Sequence, residues 1–192
     1  GSSSMSFTTQ SQSAVAIDAA SANTGTYGLH LGGGTSSGWS SSYSTGADAF
    51  TNSPTHVASA SRDICASTQT YLTLTFDKKQ TYTLKYQYSW FRLTVNGTPL
   101  SDNYLTTYFS GTDGTECGVW ETLTYDLSAY AKTDFTLAWE SCTKYSDGEV
   151  AGGCSSDNVF IDNIVLVESA SQSIPSTPMD IIGFALPNAG AQ

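Results

Sequence analysis

Basic residues are scarce: Lys and Arg total 7 in 192 residues against 17 Asp and Glu, a formal charge of -10. Such a balance opposes docking on phosphate backbones or anionic lipid, so nucleic-acid and membrane-surface functions are excluded. No run approaches the roughly 18 apolar residues of a membrane-spanning helix. The start, GSSSMSFTTQ, has neither a basic n-region nor an apolar h-region, as expected of a mature chain or one whose signal has been replaced. With only 12% charged residues, solubility rests on hydroxyls, 55 residues being Ser or Thr.

Histidine and paired cysteine motifs are also short. Cys65, Cys117, Cys142 and Cys154 form no C-x-x-C pair, and neither His30 nor His56 is near one of them, so zinc lacks a ligand set of usual spacing. Two disulfides in an oxidising compartment are expected, which places the protein outside the cell or on its surface. Of the three possible pairings, Cys142 with Cys154 and Cys65 with Cys117 is favoured; four buried free thiols are the alternative.

Apolar residues instead recur at period two, and no long stretch keeps the helical spacing, so the chain reads as all-β. TYLTLTF puts Leu72, Leu74 and Phe76 on one face and Tyr71, Thr73 and Thr75 on the other. In TYTLKYQYSW, Tyr82, Leu84, Tyr86, Tyr88 and Trp90 share a parity that Phe91, Leu93 and Val95 reverse, which predicts a bulge or break near Trp90. Asn96-Gly97 predicts a hairpin turn. Asn96-Gly97-Thr98 is also the sole glycosylation sequon, although its turn reading is the stronger. VWETLTYDL and DFTLAWES alternate again. NVFIDNIVLVE is apolar on both faces, which predicts a strand covered on both sides. TYGLHL and HVASASRDI add two weaker strands.

Eight or nine strands separated by Gly, Ser, Asn and Asp turns predict a two-sheet antiparallel β-sandwich of jelly-roll type over residues 25–168. Residues 1–24, rich in Ser, Thr and Ala, read as an extension, and 169–192 as a tail. No internal repeat is present.

The W-x-x-L-x-Y-D-L-S-x-Y run from Trp120 to Tyr130 and the closing Ile161-Asp162-Asn163-Ile164 strand resemble the MAM-like, cleaved-adhesin-like jelly-roll modules over about residues 24–168. The resemblance implies a secreted or cell-surface module that supports adhesion, without catalysis of its own, similar in fold to carbohydrate-binding sandwiches. It also implies a structural Ca²⁺ near the closing strand.

Asp162 is the residue that such an ion would explain, because a carboxylate within an apolar strand costs several kcal/mol unless paired. In the resembling modules this acid faces the N-terminal segment, where backbone carbonyls or Asp18 would join it, with Asp157 and Asn158 helping. The alternative is that Asp162 accepts backbone hydrogen bonds. The acidic loops at 112–116 and 147–149 lack EF-hand spacing and read as exposed turns.

Catalytic constellations are weak. His30 and His56 have no nucleophile elbow, Glu121 and Glu140 would be the paired carboxylates of a glycosidase, and Gly32-Gly33-Gly34 lacks the Lys of a phosphate loop. Ligand contact falls instead to aromatic loops, Trp39 and Tyr43 in SSGWSSSYSTG and Tyr104, Tyr108 and Phe109 in DNYLTTYFSG. The tail carries an apolar patch from Met179 to Leu186 that a disordered linker would not normally hold. It would dock as a short helix on its own sandwich, or as a strand presenting Ile182, Phe184 and Leu186 to a neighbouring copy. Adhesion or carbohydrate binding, partnered by a glycan or surface protein, is the leading expectation; a filament subunit assembled through the tail comes second and an enzyme last.

Overall fold

The computed structural model describes residues 6–9, 14–32, 50–51, 57–81, 89–100, 119–143, 150–151, 154–155 and 158–171. Among these residues twelve strands form: β1 (Ser6–Thr9), β2 (Ala14–Asp18), β3 (Gly28–Gly32), β4 (Val57–Ile64), β5 (Tyr71–Thr81), β6 (Ser89–Val95), β7 (Thr98–Pro99), β8 (Glu121–Asp126), β9 (Phe135–Thr143), β10 (Val150–Ala151), β11 (Cys154–Ser155) and β12 (Asn158–Ser169). They make two five-stranded antiparallel sheets, in the orders β1-β4-β9-β6-β7 and β2-β3-β12-β5-β8, plus the small β10-β11 pair. The chain passes from one sheet to the other at most connections, so the predicted jelly-roll sandwich is the observed fold.

Alternation builds the core. Leu72, Leu74 and Phe76 of β5 meet Leu123 and Tyr125 of β8, Phe91 and Leu93 of β6, and Leu137 and Trp139 of β9. Phe76 is the hub, stacked on Tyr125 at 5.5 Å and edge-on to Trp139 at 6.0 Å. Such pairs add to area burial because the ring quadrupoles favour these geometries. The β6–β7 hairpin turns at Asn96 (φ 51°) and Gly97 (φ 77°), both left-handed, as a two-residue turn requires.

Three expectations change. Residues 6–9 and 14–18, read as an extension, are edge strands of the two sheets, pairing with β4 and β3. An edge strand needs few large apolar residues, so Ser, Thr and Ala there do not distinguish it from a linker. Within Ser89–Val95 β6 is continuous through Trp90, and both parities are buried because Trp90 packs with Phe50, Cys142 and Val57 in a second cluster, apart from the core that holds Phe91; residues 82–88 lie outside the described residues. Nor is β12 covered along its whole length. Its register against β5 shifts between Asp162 and Val165, so Val159 and Ile161 point inward before the shift, while Val165 and Val167 are about half exposed after it.

No disulfide forms among the described residues. Cys65 is a free, exposed thiol past the end of β4, so the favoured Cys65–Cys117 bridge is absent. Cys142 is buried, and burial pushes its thiol far above the usual range. Bridging Cys65 to Cys142 is sterically excluded: Ile64 pairs with Phe135 and Val57 with Cys142, opposite ends of one ladder about 24 Å long. Cys117 and the Cys154 side chain lie outside the described residues.

Candidate ligand-binding face

The outward side of the second sheet carries two contrasting rows, each set by strand register. In β3, β12 and β5, the inward residues Leu29 and Leu31, Val159 and Ile161, and Lys78 and Gln80 leave His30, Phe160 and Lys79 facing out. Phe160 lies directly opposite both His30 and Lys79, and Trp120, next to Glu121 of β8, continues the row beside Lys79. The row crosses four strands, about 14 Å at ordinary strand spacing. The His30 and Phe160 rings stack at 5.0 Å with planes 22° apart, and the Lys79 ammonium sits 4.9 Å from the Phe160 ring and 5.1 Å from the Trp120 ring. Each ring attracts the cation through its negative face. The His30 ring is fixed by Nε2, 2.6 Å from Asn158 Oδ1, and by Nδ1, 3.9 Å from Asp18 Oδ2.

The adjacent row is acidic. Asp162 and Asp77 stand directly opposite each other on β12 and β5, a like-charge pair that would be destabilising alone. Donors resolve it. Asp77 accepts from Thr122 Oγ1 at 2.6 Å and from the side-chain amides of Asn23 and Asn163, both at 2.7 Å. Burial pushes the Asp77 carboxyl up, but these three bonds together outweigh it and hold the group below its ordinary value. Asp162 accepts from the backbone amides of Asn23 (2.7 Å), Thr24 (2.9 Å) and Asn163 (2.7 Å). Asn163 adopts φ 51°, which Asn tolerates better than most residues, and accepts from Thr24 Oγ1 at 2.7 Å.

The loop that supplies these donors crosses the sheet because Gly28 lets it. A Cβ at Gly28 would sit 1.9 Å from the Ser21 carbonyl oxygen. Asp18 fixes the start of the loop by capping the short 3-10 turn Ala19–Ser21, accepting from Ser21 N at 2.8 Å and Ser21 Oγ at 2.6 Å. The segment from Asp18 to Thr24 therefore forms a polar wall beside the aromatic row.

This geometry bears on the calcium expectation. Asp162 does face the N-terminal segment, yet it meets N–H donors there, where a cation requires carbonyl oxygens. Asp18 is engaged by Ser21 and Asn158 by His30, and no group of three His, Cys, Asp or Glu able to hold a metal occurs among the described residues. The donor set does not fit Ca²⁺ at this place. Asp157 lies outside the described residues.

The carboxylates suggested for glycoside cleavage are separated. Glu121 is on β8 of the second sheet, 2.7 Å from Lys78 Nζ, and Glu140 is on β9 of the first, 2.5 Å from Arg92 Nε. Each neutralises its own cation. Lys78 is only 2% exposed, and its amine also reaches Gln80 Oε1 at 3.3 Å and lies 5.5 Å from the Phe91 ring centre. Burial pushes its pKa down, against the pull of Glu121.

Trp39, Tyr43, Tyr104, Tyr108, Phe109 and His56, with the tail residues Ile182, Phe184 and Leu186, lie outside the described residues. The aromatic row was missed in the sequence because Phe160 and Trp120 read as ordinary members of alternating strands. A usable signal existed at three of the four positions: His30, Lys79 and Trp120 fall on the polar parity of their strands.

No protein-family model matches the sequence, and no curated protein matches it significantly. Among solved structures, the chain is similar to TmCBM61 in complex with β-1,4-galactotriose, at 10% identity and a TM-score of 0.44, covering 86% of this chain and 88% of that one. It is also similar to the CBM22-1 xylan-binding domain of Paenibacillus barcinonensis Xyn10C, at 11% identity and a TM-score of 0.40 over 86% and 87% of the two chains. The enzymatically active domain of tailspike protein 4 from bacteriophage CBA120 matches at 10% identity and a TM-score of 0.44, over 87% of this chain but 19% of that one.

Proposed function

We propose that the protein is a non-catalytic, extracellular module that binds glycans across the outward face of the second sheet. The observation that carries this reading is the His30–Phe160–Lys79–Trp120 row. Ring faces and edges attract the C–H surface of a sugar, and the adjoining Asp, Asn and Thr wall offers hydroxyl partners. Beyond the acidic row, the same face carries Thr73, Thr75 and Thr124 beside the half-exposed Val165 and Val167. Trp39, Tyr43, Tyr104 and Tyr108 are proposed as further ligand contacts on the aromatic composition of their sequence segments alone. Extracellular placement is supported by the hydroxyl-rich, acidic composition.

The test is a glycan array followed by calorimetry on neutral oligosaccharides for the parent, Phe160→Ala and Trp120→Ala. Each substitution is expected to weaken binding about tenfold or more while leaving the fold intact, since both side chains are outside the core. Binding unchanged in both variants would remove the row from the site.

A further inference from the structure

The acidic row carries more charge than the loop it holds requires. Asp18 stands opposite Gly28 on β3, and Asp77 stands opposite both Asp162 on β12 and Thr122 on β8. Each of the three carboxylates is two residues along its strand from the aromatic row: Asp18 from Ala16, which pairs with His30, Asp162 from Phe160, and Asp77 from Lys79. Two residues of strand set the rows about 7 Å apart, within the Debye length at physiological salt. Facing carboxylates repel, and three donors are spent on each of Asp77 and Asp162 to keep the pair. An amide oxygen at position 77 would still accept from Thr122 without facing Asp162 as a like charge.

We infer that this row is the specificity filter of the face, admitting uncharged sugars to the aromatic row and rejecting those that bear a carboxylate or sulfate. The inference rests on the glycan-binding reading above and names the class of sugar that the face selects. Specificity of this kind comes from a repulsion built against the wrong ligand as much as from contacts with the right one. An acidic sugar lying on His30, Phe160, Lys79 and Trp120 would bring its charge beside Asp18, Asp162 and Asp77. The opposing cation is Lys79, whose ammonium is already drawn to the Phe160 and Trp120 rings. One cation does not offset three carboxylates, and the chain's formal charge of -10 adds to the same field. A neutral sugar meets no such repulsion, and its hydroxyls can donate to the carboxylate oxygens.

The test compares sugars that differ only in charge. Calorimetry on the full chain is run with the β-1,4-linked hexamers of glucose, mannose and galactose, and with the same three after oxidation of their C6 hydroxyls to carboxylates. The parent is expected to bind at least one neutral hexamer, about tenfold or more tightly than its oxidised form. Asp77→Asn and Asp162→Asn should each narrow that gap severalfold. Glu168→Gln, the same change of net charge at the far end of β12, should leave it as it is. A readout free of substitution is salt: raising NaCl from about 20 mM to about 500 mM should narrow the gap in the parent. The filter is overturned, with the glycan reading left standing, if oxidised hexamers bind as tightly as neutral ones, if salt leaves the gap unchanged, or if Glu168→Gln narrows it as much as the Asp variants do. Binding by none of the six would overturn the glycan reading itself, and the filter with it.

Discussion

The two halves of β12 share a composition and differ in fate. Asn158–Ile161 lies between β3 and β5, and its Val159 and Ile161 are almost wholly buried. Ile164–Ser169 is as rich in β-branched residues, yet it pairs with β5 alone among the described residues and leaves Val165 and Val167 about half exposed. Apolar content therefore does not decide how deeply a strand is buried. What decides it is which neighbour the register supplies, and whether a shift has exchanged the two faces. Here the shift sits at Asp162-Asn163, so the same two residues that end the buried half anchor the loop of the ligand face.

The largest expected effect contrasts the halves directly. Ile161→Ala removes a core side chain that is 1% exposed and should cost about 3 kcal/mol, the sum of lost transfer energy and a residual cavity. Val165→Ala, beyond the shift, should stay within about 0.5 kcal/mol, as for surface positions. Urea denaturation of both variants measures the contrast. Equal losses would mean that the two halves are covered alike.

A smaller effect is expected at the junction itself. Asp162→Ala strands the amides of Asn23, Thr24 and Asn163 and should cost about 2 kcal/mol, since three hydrogen bonds to a carboxylate are lost and water can replace only part of them. Asn163→Gly keeps the left-handed backbone and drops only the bonds to Asp77 and Thr24, for about 1 kcal/mol. If the ranking were reversed, the clamp would belong to Asn163 and its backbone shape. Amide exchange at Asn23 and Thr24 gives a local check, because only Asp162→Ala should release both.

Much of this architecture was legible in the chain. The inward sets Leu72, Leu74, Phe76 and Leu123, Tyr125, Leu127 follow from period-two alternation, and Asn96-Gly97 turns as such a pair should. The same parity extended along β5 would have placed Lys78 inward, where it pairs with Glu121. Alternation could not reveal the shift at Asp162-Asn163, because a strand apolar on both parities reads the same in either register. The edge strands β1 and β2 were hidden for a different reason: half-exposed strands of Ser, Thr and Ala share the composition of linkers. The aromatic row was hidden because its members are 130 residues apart from His30 to Phe160, and only the cross-strand register brings them together.

The smallest effect concerns the acidic half of the ligand face and depends on pH. Asp77 has its carboxyl held below the ordinary value of 3.8 by the balance of burial, which raises it, and the bonds from Thr122, Asn163 and Asn23, which lower it further. A carboxyl depressed in the folded state adds stability that is complete above its unfolded pKa and is lost as pH falls through the folded one. The parent should therefore lose stability on acidification below about pH 4, and Asp77→Asn should lose less over that window because its side chain does not titrate. The variant will also be weaker at neutral pH, since an amide cannot accept from all three donors at once. Urea midpoints between pH 2.5 and pH 7 separate the two contributions: the neutral-pH offset reports the lost bonds, and the difference in acid slope reports the carboxylate. Parallel curves for parent and variant would mean that Asp77 does not titrate differently in the folded and unfolded chains, and that the acidic row is held by geometry without help from its charge.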